Sequence, residues 1–205
     1  MKSSDVLEFC FPAGMDRTLE VHLDYWRWMM RGGADEQICQ RFANAPAKLK
    51  AGDFSFLAET PSDRLASILV FDQFPRSLRR DSPAAYAYDQ LALTLALDGL
   101  ECGHFGQLKH PWERTLYALP LVHAEGPSLR ERADLNVKLA EETLELAPSH
   151  LKPAYQFCLS QSLRHKSVID QFGRHPHRNK ILGRSTTALE AKYLERDQLP
   201  HMTSI

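Results

Sequence analysis

The chain has 205 residues, of which 43% are hydrophobic, and this is enough for one sizeable core. Its 25 basic and 26 acidic residues give a net charge of −1, so no overall field attracts nucleic acid or an anionic membrane. The longest apolar run is too short to span a bilayer and no signal peptide is visible, so we expect a cytoplasmic protein with neither nucleic-acid nor membrane partners.

Residues that typically start and stop helices recur in the first half of the chain, and no convincing strand pattern is present there. The central helix begins at Thr60-Pro61, because threonine is a good N-cap and proline suits the first helical position. The other predicted helices of this half cover residues 4–10, the stretch from the cap Asp16 to Gly32-Gly33, residues 34–50 with a kink or break at Pro46, and a long amphipathic stretch from Ser82-Pro83 to Gly103.

The second half shows the same signals. The helix before Gly173 ends there because glycine adopts the left-handed conformation of a C-cap without strain. Thr187 and Glu190 have the spacing of a capping box. The predicted helices of this half cover residues 112–119, 128–147, 154–172 and 187–196.

These elements predict one all-α domain over residues 1–205, with about eight to ten helices packed as helical hairpins. The loops between them are short, and no flexible linker divides the chain. The four cysteines are far apart and lack metal-ligand spacing, which suits a reduced interior and predicts no metal site. No oligomeric state follows from these patterns.

A polar cluster interrupts the end of the central helix. Leu65 to Phe71 is apolar on nearly every face, and Asp72 extends the same buried stripe. A buried charge requires a partner, and Arg76, four residues later, is one candidate. The segment Asp72-Gln73-Phe-Pro-Arg76 therefore forms either a structural ion pair at a helix end or part of a site.

Two further stretches carry polar residues. His123 and Glu125 follow Pro120, and their spacing falls far short of a metal coordination sphere, which favours an interior histidine. Residues 164–184 have a large basic excess and three of the nine histidines. Their arginine and imidazole donors suit an anion or a carboxylate of this same protein, and the alternative is a solvated basic face.

Three motifs together resemble the signatures of the bacterial domain-of-unknown-function 924 family. They are Phe71-Asp-Gln-Phe-Pro-Arg76, Pro120-Leu-Val-His-Ala-Glu125, and the segment from His165 through Gly173-Arg-His-Pro-His-Arg-Asn179 to Thr186. The resemblance covers about residues 5–195 and implies a tetratricopeptide-like helical architecture with no established activity. The family pattern His-Ser-Glu-Asp is replaced by His123-Ala-Glu-Gly126, so a role for the missing hydroxyl and acid, such as a metal ligand, does not carry over.

Three functional hypotheses remain open at this point. The first is binding of an anionic small molecule or peptide carboxylate in a cleft formed by the polar motifs. The second is a hydrolase or lyase, with or without a metal, that uses Asp72, His165 or His177 as catalytic groups. The third is a helical scaffold whose polar motifs lock helices together. No cofactor follows from the sequence. The candidate ligand-binding residues are Asp72, Gln73, Arg76, His123, Glu125, His165, Arg174, His177, Arg178 and Asn179.

Overall fold

The computed structural model describes residues 1–53 and 58–195, and all regular secondary structure within these two ranges is helical. The α-helices of the described residues are α1 (Ser3–Cys10), α2 (Leu19–Met30), α3 (Asp35–Phe42), α4 (Ala45–Ala51), α5 (Pro61–Asp72), α6 (Phe74–Leu78), α7 (Asp89–Glu101), α8 (His104–Gln107), α9 (Pro111–Ala118), α10 (Pro120–His123), α11 (Leu129–Leu146), α12 (Lys152–Phe172) and α13 (Ala188–Leu194). Two 3-10 helices cover Pro83–Tyr86 and Pro176–Arg178. The predicted all-α fold is confirmed.

Helix α5 lies at the centre of the molecule. The Thr60 side chain accepts a hydrogen bond from the backbone N–H of Asp63 at 3.1 Å, as the sequence predicts for this N-cap. Every residue from Arg64 to Asp72 is buried, because α5 packs against α1, α4 and α6 to α10. A helix enclosed on all sides in this way needs apolar residues on nearly every face, and Leu65, Ala66 and the run from Ile68 to Phe71 provide them.

A second hydrophobic cluster joins α2 to α12. Trp26, Trp112, Leu151 and Tyr155 form its buried centre. His22 is also fully buried there, and its Nε2 accepts a hydrogen bond from the Tyr155 hydroxyl at 3.0 Å. Helices α11 and α12 are joined by a short connection and pack along each other, which makes them a helical hairpin. The tetratricopeptide-like arrangement of the whole chain stays a prediction, as does the single domain.

Prolines divide several stretches that the sequence pattern treats as one element. Residues 34–50 form α3 and α4, and Pro46 lies in the first turn of α4. The long helix predicted from Ser82-Pro83 to Gly103 is instead a 3-10 helix followed by α7, which begins only at Asp89. This later start places Asp89 at a helix N-terminus rather than inside a helix.

None of the helices in the described part of the chain combines the length and the apolar character that crossing a membrane requires.

The side chains of Tyr117 from α9 and Arg64 from α5 pack directly against Gly99 of α7. A Cβ atom placed on Gly99 would lie 1.7 Å from the hydroxyl oxygen of Tyr117 and 2.3 Å from Cδ of Arg64. Both of those side chains are buried. This close approach therefore depends on the missing side chain of Gly99.

We expect Gly99→Ala to lower the free energy of unfolding by about 1–2 kcal/mol. A contact as short as 1.7 Å places the overpacking cost in the upper part of its usual range of about 1–3 kcal/mol, above the roughly 1 kcal/mol that alanine gains over glycine in a helix. Gly106→Ala in α8 is the matched control, because a Cβ there meets no atom within 4 Å and should leave stability unchanged or slightly higher. Urea unfolding of both variants measures the difference, and equal stabilities would contradict the packing described for α7.

Candidate functional site

A cavity of about 630 Å³ opens between α2, α6, α9 to α12 and the two 3-10 helices. Its volume lies within the range of small-molecule binding sites. Its wall is strongly basic, since Asp81 is the single acidic side chain among the described residues that line it. The basic lining residues are Arg27, Arg31, Arg76, Arg80, Arg114, Arg178, His123, His165, His175 and His177.

Asp72 lies directly behind this wall, at the C-terminal end of α5, and has no exposure to solvent. Its carboxylate is 3.3 Å from Nη1 of Arg76 and 2.9 Å from Nδ1 of His123, and the Gln73 amide also donates to it. Burial by itself would raise the pKa of Asp72, but Arg76 and His123 outweigh it and hold this pKa well below its usual range. Asp72 is therefore an ionised carboxylate with fixed partners.

Asp89 is a second buried acid in the same cluster, and sequence reasoning missed it. Its carboxylate is 3.0 Å from Nη1 of Arg76 and 3.5 Å from Nη1 of Arg178. Burial raises the pKa of Asp89, and the nearby Asp72 carboxylate raises it further, while Arg76 opposes both. The sequence did contain one indication of this role, because Asp89 lies just before an apolar helical run, where an acid in the first turn of a helix is common. The helix predicted from Pro83 placed Asp89 in a helix interior instead, so this indication was missed.

Arg178 is the most enclosed cation in the cavity wall, with 5% of its surface exposed. Its Nη1 donates to the backbone oxygen of His123 at 2.8 Å, and its guanidinium lies 4.4 Å from the centre of the Tyr86 ring. Its buried Nε has no hydrogen-bond partner in residues 1–53 and 58–195. Burial and the neighbouring Arg76 lower the pKa of Arg178, so its positive charge is incompletely compensated.

The buried imidazoles of the site are uncharged at neutral pH. Because a carboxylate only accepts, Nδ1–H of His123 must donate to Asp72, which leaves the lone pair on Nε2. His175 donates through Nε2–H to the backbone oxygen of Val122 at 2.7 Å. Burial lowers the pKa of His123, and it lowers that of His175 still more, with Arg178 adding to the effect in both cases.

His165 and His177 complete a row of imidazoles around His175. Their ring centres lie 6.1 Å and 5.5 Å from that of His175. Both rings line the cavity, as do Gln73, Arg76, His123 and Arg178 from the predicted set. The structure thus brings these six predicted residues to one cavity, with Asp72 directly behind them.

Three other predicted residues lie outside the described lining of the cavity, and each is paired with another group of the protein. The Glu125 carboxylate accepts from Arg184 and from the backbone N–H of His175, the latter at 2.8 Å. Arg174 pairs with Glu190 at 2.6 Å, and Glu190 also forms the capping box of α13. Asn179 accepts from Arg184 at 3.0 Å. The Glu125 and Asn179 contacts hold the 3-10 helix Pro176–Arg178 in place, whereas the Arg174–Glu190 pair holds α13.

The described residues contain no group of three or more histidine, cysteine, aspartate or glutamate side chains arranged to hold a metal ion. The chemistry that the site itself provides is thus hydrogen-bond donation, positive charge and an imidazole lone pair.

Asp72→Asn should lower the free energy of unfolding by about 3 kcal/mol. Breaking a buried ion pair costs about 3–5 kcal/mol, and the lower value applies because Arg76 keeps Asp89. Asp35→Asn is the control, since Asp35 pairs with Arg80 at the surface and such pairs contribute under about 1 kcal/mol. Urea denaturation compares the two variants, and similar small losses would show that Asp72 is not buried as described.

The uncharged buried histidines predict that stability falls as pH drops below about 6.5. Unfolded histidine titrates near that value, whereas His22, His123 and His175 have lower pKa values in the folded protein. The free energy of unfolding is therefore highest above the pKa of unfolded histidine. Below that pKa, each of these histidines lowers the free energy of unfolding by up to about 1.4 kcal/mol per pH unit.

Unfolding free energies measured by urea between pH 7.5 and pH 5.5 test this expectation. His175→Gln should reduce the slope of unfolding free energy against pH by an amount that corresponds to about one proton, because glutamine does not titrate. A stability that stays constant over this range would contradict the uncharged state of these residues.

Comparison with known proteins identifies the relationship of the chain but no activity. A solved structure of a protein of unknown function from Agrobacterium tumefaciens is similar, with a TM-score of 0.72 and 27% sequence identity over 94% of this chain and 96% of that chain. A search of the curated proteins finds no match. The model of the family described as "Bacterial protein of unknown function (DUF924)" matches residues 6–198, and the chain therefore belongs to this family.

Proposed function

We propose that the protein binds an organic molecule that carries one carboxylate and an apolar part, and that this molecule occupies the cavity beside Arg178. The observation that carries the proposal is the state of Arg178, a buried cation in the cavity wall whose Nε has no partner among the described residues. A buried donor without a partner costs about 1–3 kcal/mol, and a negative charge bound beside the guanidinium would offset its uncompensated positive charge.

A second donor supports the same conclusion. The buried Nε2 of Gln161, another lining residue, also lacks a partner in the described residues. An arginine and an amide with unpaired N–H groups in the wall of one cavity suit a ligand with acceptor oxygens.

The balance of charges in the cluster favours a single negative charge on the ligand. Arg76 and Arg178 face the two carboxylates of Asp72 and Asp89. The cluster is close to neutral as it stands, and a phosphate dianion would place two more negative charges beside these acids. A monoanion adds only the charge that the incompletely compensated Arg178 attracts.

The remaining lining gives the ligand its apolar part. Met29, Met30, Leu119, Phe157 and Ile181 all face the cavity. Methionine adapts to ligand shape, and apolar walls with a few fixed polar groups are typical of small-molecule sites. A short aliphatic carboxylate and the C-terminal carboxylate of an apolar peptide share this chemistry.

The scaffold alternative has support for one part of the polar motifs. Glu125, Arg174 and Asn179 are each engaged by neighbouring protein groups, which is what residues that lock helices together require. This locking role and ligand binding are compatible, because they use different residues. The free cysteines, with Cys10 buried, support the proposed cytoplasmic location.

Octanoate should raise the melting temperature, whereas octanamide, which has the same chain without the charge, should not. At ten times the dissociation constant, linkage gives about 1.4 kcal/mol, or about 3–6 °C for a chain of this size. Arg178→Lys should reduce the octanoate shift, because a lysine cannot present the same planar set of donors.

Arg174→Ala is the matched control, since Arg174 belongs to the predicted set but pairs with Glu190 instead of lining the cavity. It should lower the melting temperature of the free protein and keep the octanoate shift. Thermal-shift measurements with both ligands on the three proteins decide the matter. Equal shifts with octanoate and octanamide, or loss of the shift in Arg174→Ala, would contradict the proposed site.

A further inference from the structure

His123 and Asp72 have the arrangement of an imidazole base and the carboxylate that orients it. Nδ1 of His123 lies 2.9 Å from both carboxylate oxygens of Asp72. Asp72 is fully buried and is itself held by Arg76 and Gln73, so the imidazole has a fixed orientation. The side chain of His123 is 16% exposed and lines the cavity.

The free nitrogen of this imidazole is available for chemistry. Nδ1 carries the proton that Asp72 accepts, so Nε2 carries a lone pair. The hydrogen bonds of the His123 ring within the described residues go to Asp72 through Nδ1. An uncharged imidazole with an unshared Nε2 in a cavity wall is the form that accepts a proton.

Arg178 lies beside the base and provides positive charge where negative charge would develop. Its Nη1 donates to the backbone oxygen of His123 at 2.8 Å, and its positive charge helps to lower the pKa of the His123 imidazole. Its Nε remains without a partner in the part of the chain that the structure describes. Fixed donors next to a base are the groups that stabilise the oxyanion formed when a carbonyl carbon is attacked.

We propose that the cavity hydrolyses esters or thioesters of apolar carboxylic acids, with His123 as the general base and Asp72 as its positioning residue. This inference rests on the proposed function, because the carboxylate product of the reaction is the ligand class proposed for the cavity.

Water is the nucleophile in this reaction. No serine, threonine or cysteine side chain of the described residues hydrogen-bonds to the ring of His123, which donates to Asp72. Cys158 lines the cavity, but burial raises the pKa of its thiol to about 12, so it stays protonated. Water thus replaces a side-chain nucleophile.

Nε2 of His123 takes a proton from water while the water oxygen bonds to the acyl carbon and the carbonyl electron pair moves onto oxygen. Arg178 stabilises that oxyanion. The oxyanion then re-forms the carbonyl, the bond to the alcohol or thiol breaks, and the leaving group takes the proton back from Nε2. The products are one carboxylic acid and one alcohol or thiol, so His123 is regenerated.

The test uses the full chain with 4-nitrophenyl octanoate as the probe, and it follows nitrophenolate release above the buffer rate. His123→Gln should lower kcat/KM by about 100- to 10,000-fold, the usual range for loss of a general base. His150→Gln is the control, because His150 is exposed and lies outside the described cavity lining. It should retain the parent rate.

The pH dependence separates the role of Asp72 from a structural one. Asp72, Arg76, Asp89 and Arg178 are the charged groups that surround His123. Burial lowers the pKa of His123, so kcat/KM in the parent should stay flat as pH falls past about 6.5 and decline only below it. Asp72→Asn should lower the rate and move that decline to still lower pH, because the carboxylate raises the imidazole pKa.

Three outcomes overturn the inference. They are absence of turnover above the buffer rate in the parent, a folded His123→Gln variant within threefold of the parent, and equal losses in His123→Gln and His150→Gln. If octanoate still raises the melting temperature in any of these cases, the binding function stands without catalysis. If octanoate fails to bind while the ester is hydrolysed, the binding function fails instead.

Discussion

The buried carboxylate of Asp72 sets the conditions that its neighbours must meet. An ionised acid with no exposure to water at the end of α5 is tolerable only with charged and hydrogen-bonding partners. Arg76 comes from the next helix in the chain, and His123 comes from the end of α10, 51 residues later in sequence. The pairing therefore ties the central helix to the cavity wall and fixes the ring of His123 in one orientation.

The protein neutralises the positive charge of Arg76 more completely than that of Arg178. Arg76 lies between Asp72 and Asp89, which raise its pKa against the effect of burial. Among the described residues, the direct partners of Arg178 are Asp89 at the long distance of 3.5 Å, the backbone oxygen of His123 and the Tyr86 ring. A buried cation with incomplete compensation costs stability in the free protein, and a bound anion would recover part of that cost. Under the proposed function, this inequality distinguishes the ligand-binding role of Arg178 from the structural role of Arg76.

The polar motifs form two layers, an inner one whose contacts are within the protein and an outer one that faces the cavity. In the inner layer, Nε2–H of His175 donates to the backbone oxygen of Val122, and Glu125 accepts from the backbone N–H of His175. These contacts hold the loop of residues 174–184 against α10, and the His175 ring also lines the cavity. The outer layer, which includes His123 and Arg178, faces the cavity. The rigid inner contacts keep the outer groups in place, as a site with fixed donors requires.

The sequence by itself determined the helical class and many helix ends, because these depend on local chemistry. Thr60 caps α5, Gly173 ends α12 in the left-handed conformation, and Thr187 with Glu190 forms a capping box. The sequence also indicated that Asp72 needs a partner, since a charge in an apolar stripe is anomalous at any position. These signals act over a few residues and need no knowledge of the rest of the chain.

Only the tertiary structure decided which partners meet. Asp89 joined the cluster because α7 begins later than its sequence suggests, and Arg174 left it because Glu190 of α13 lies closer. The division of Arg178 from Arg174, four residues apart in the same basic segment, depends on which acids long-range packing brings near each of them. The interaction of two charges depends on the distance between them in space, and the local pattern of a sequence carries no information about that distance when the residues are far apart along the chain.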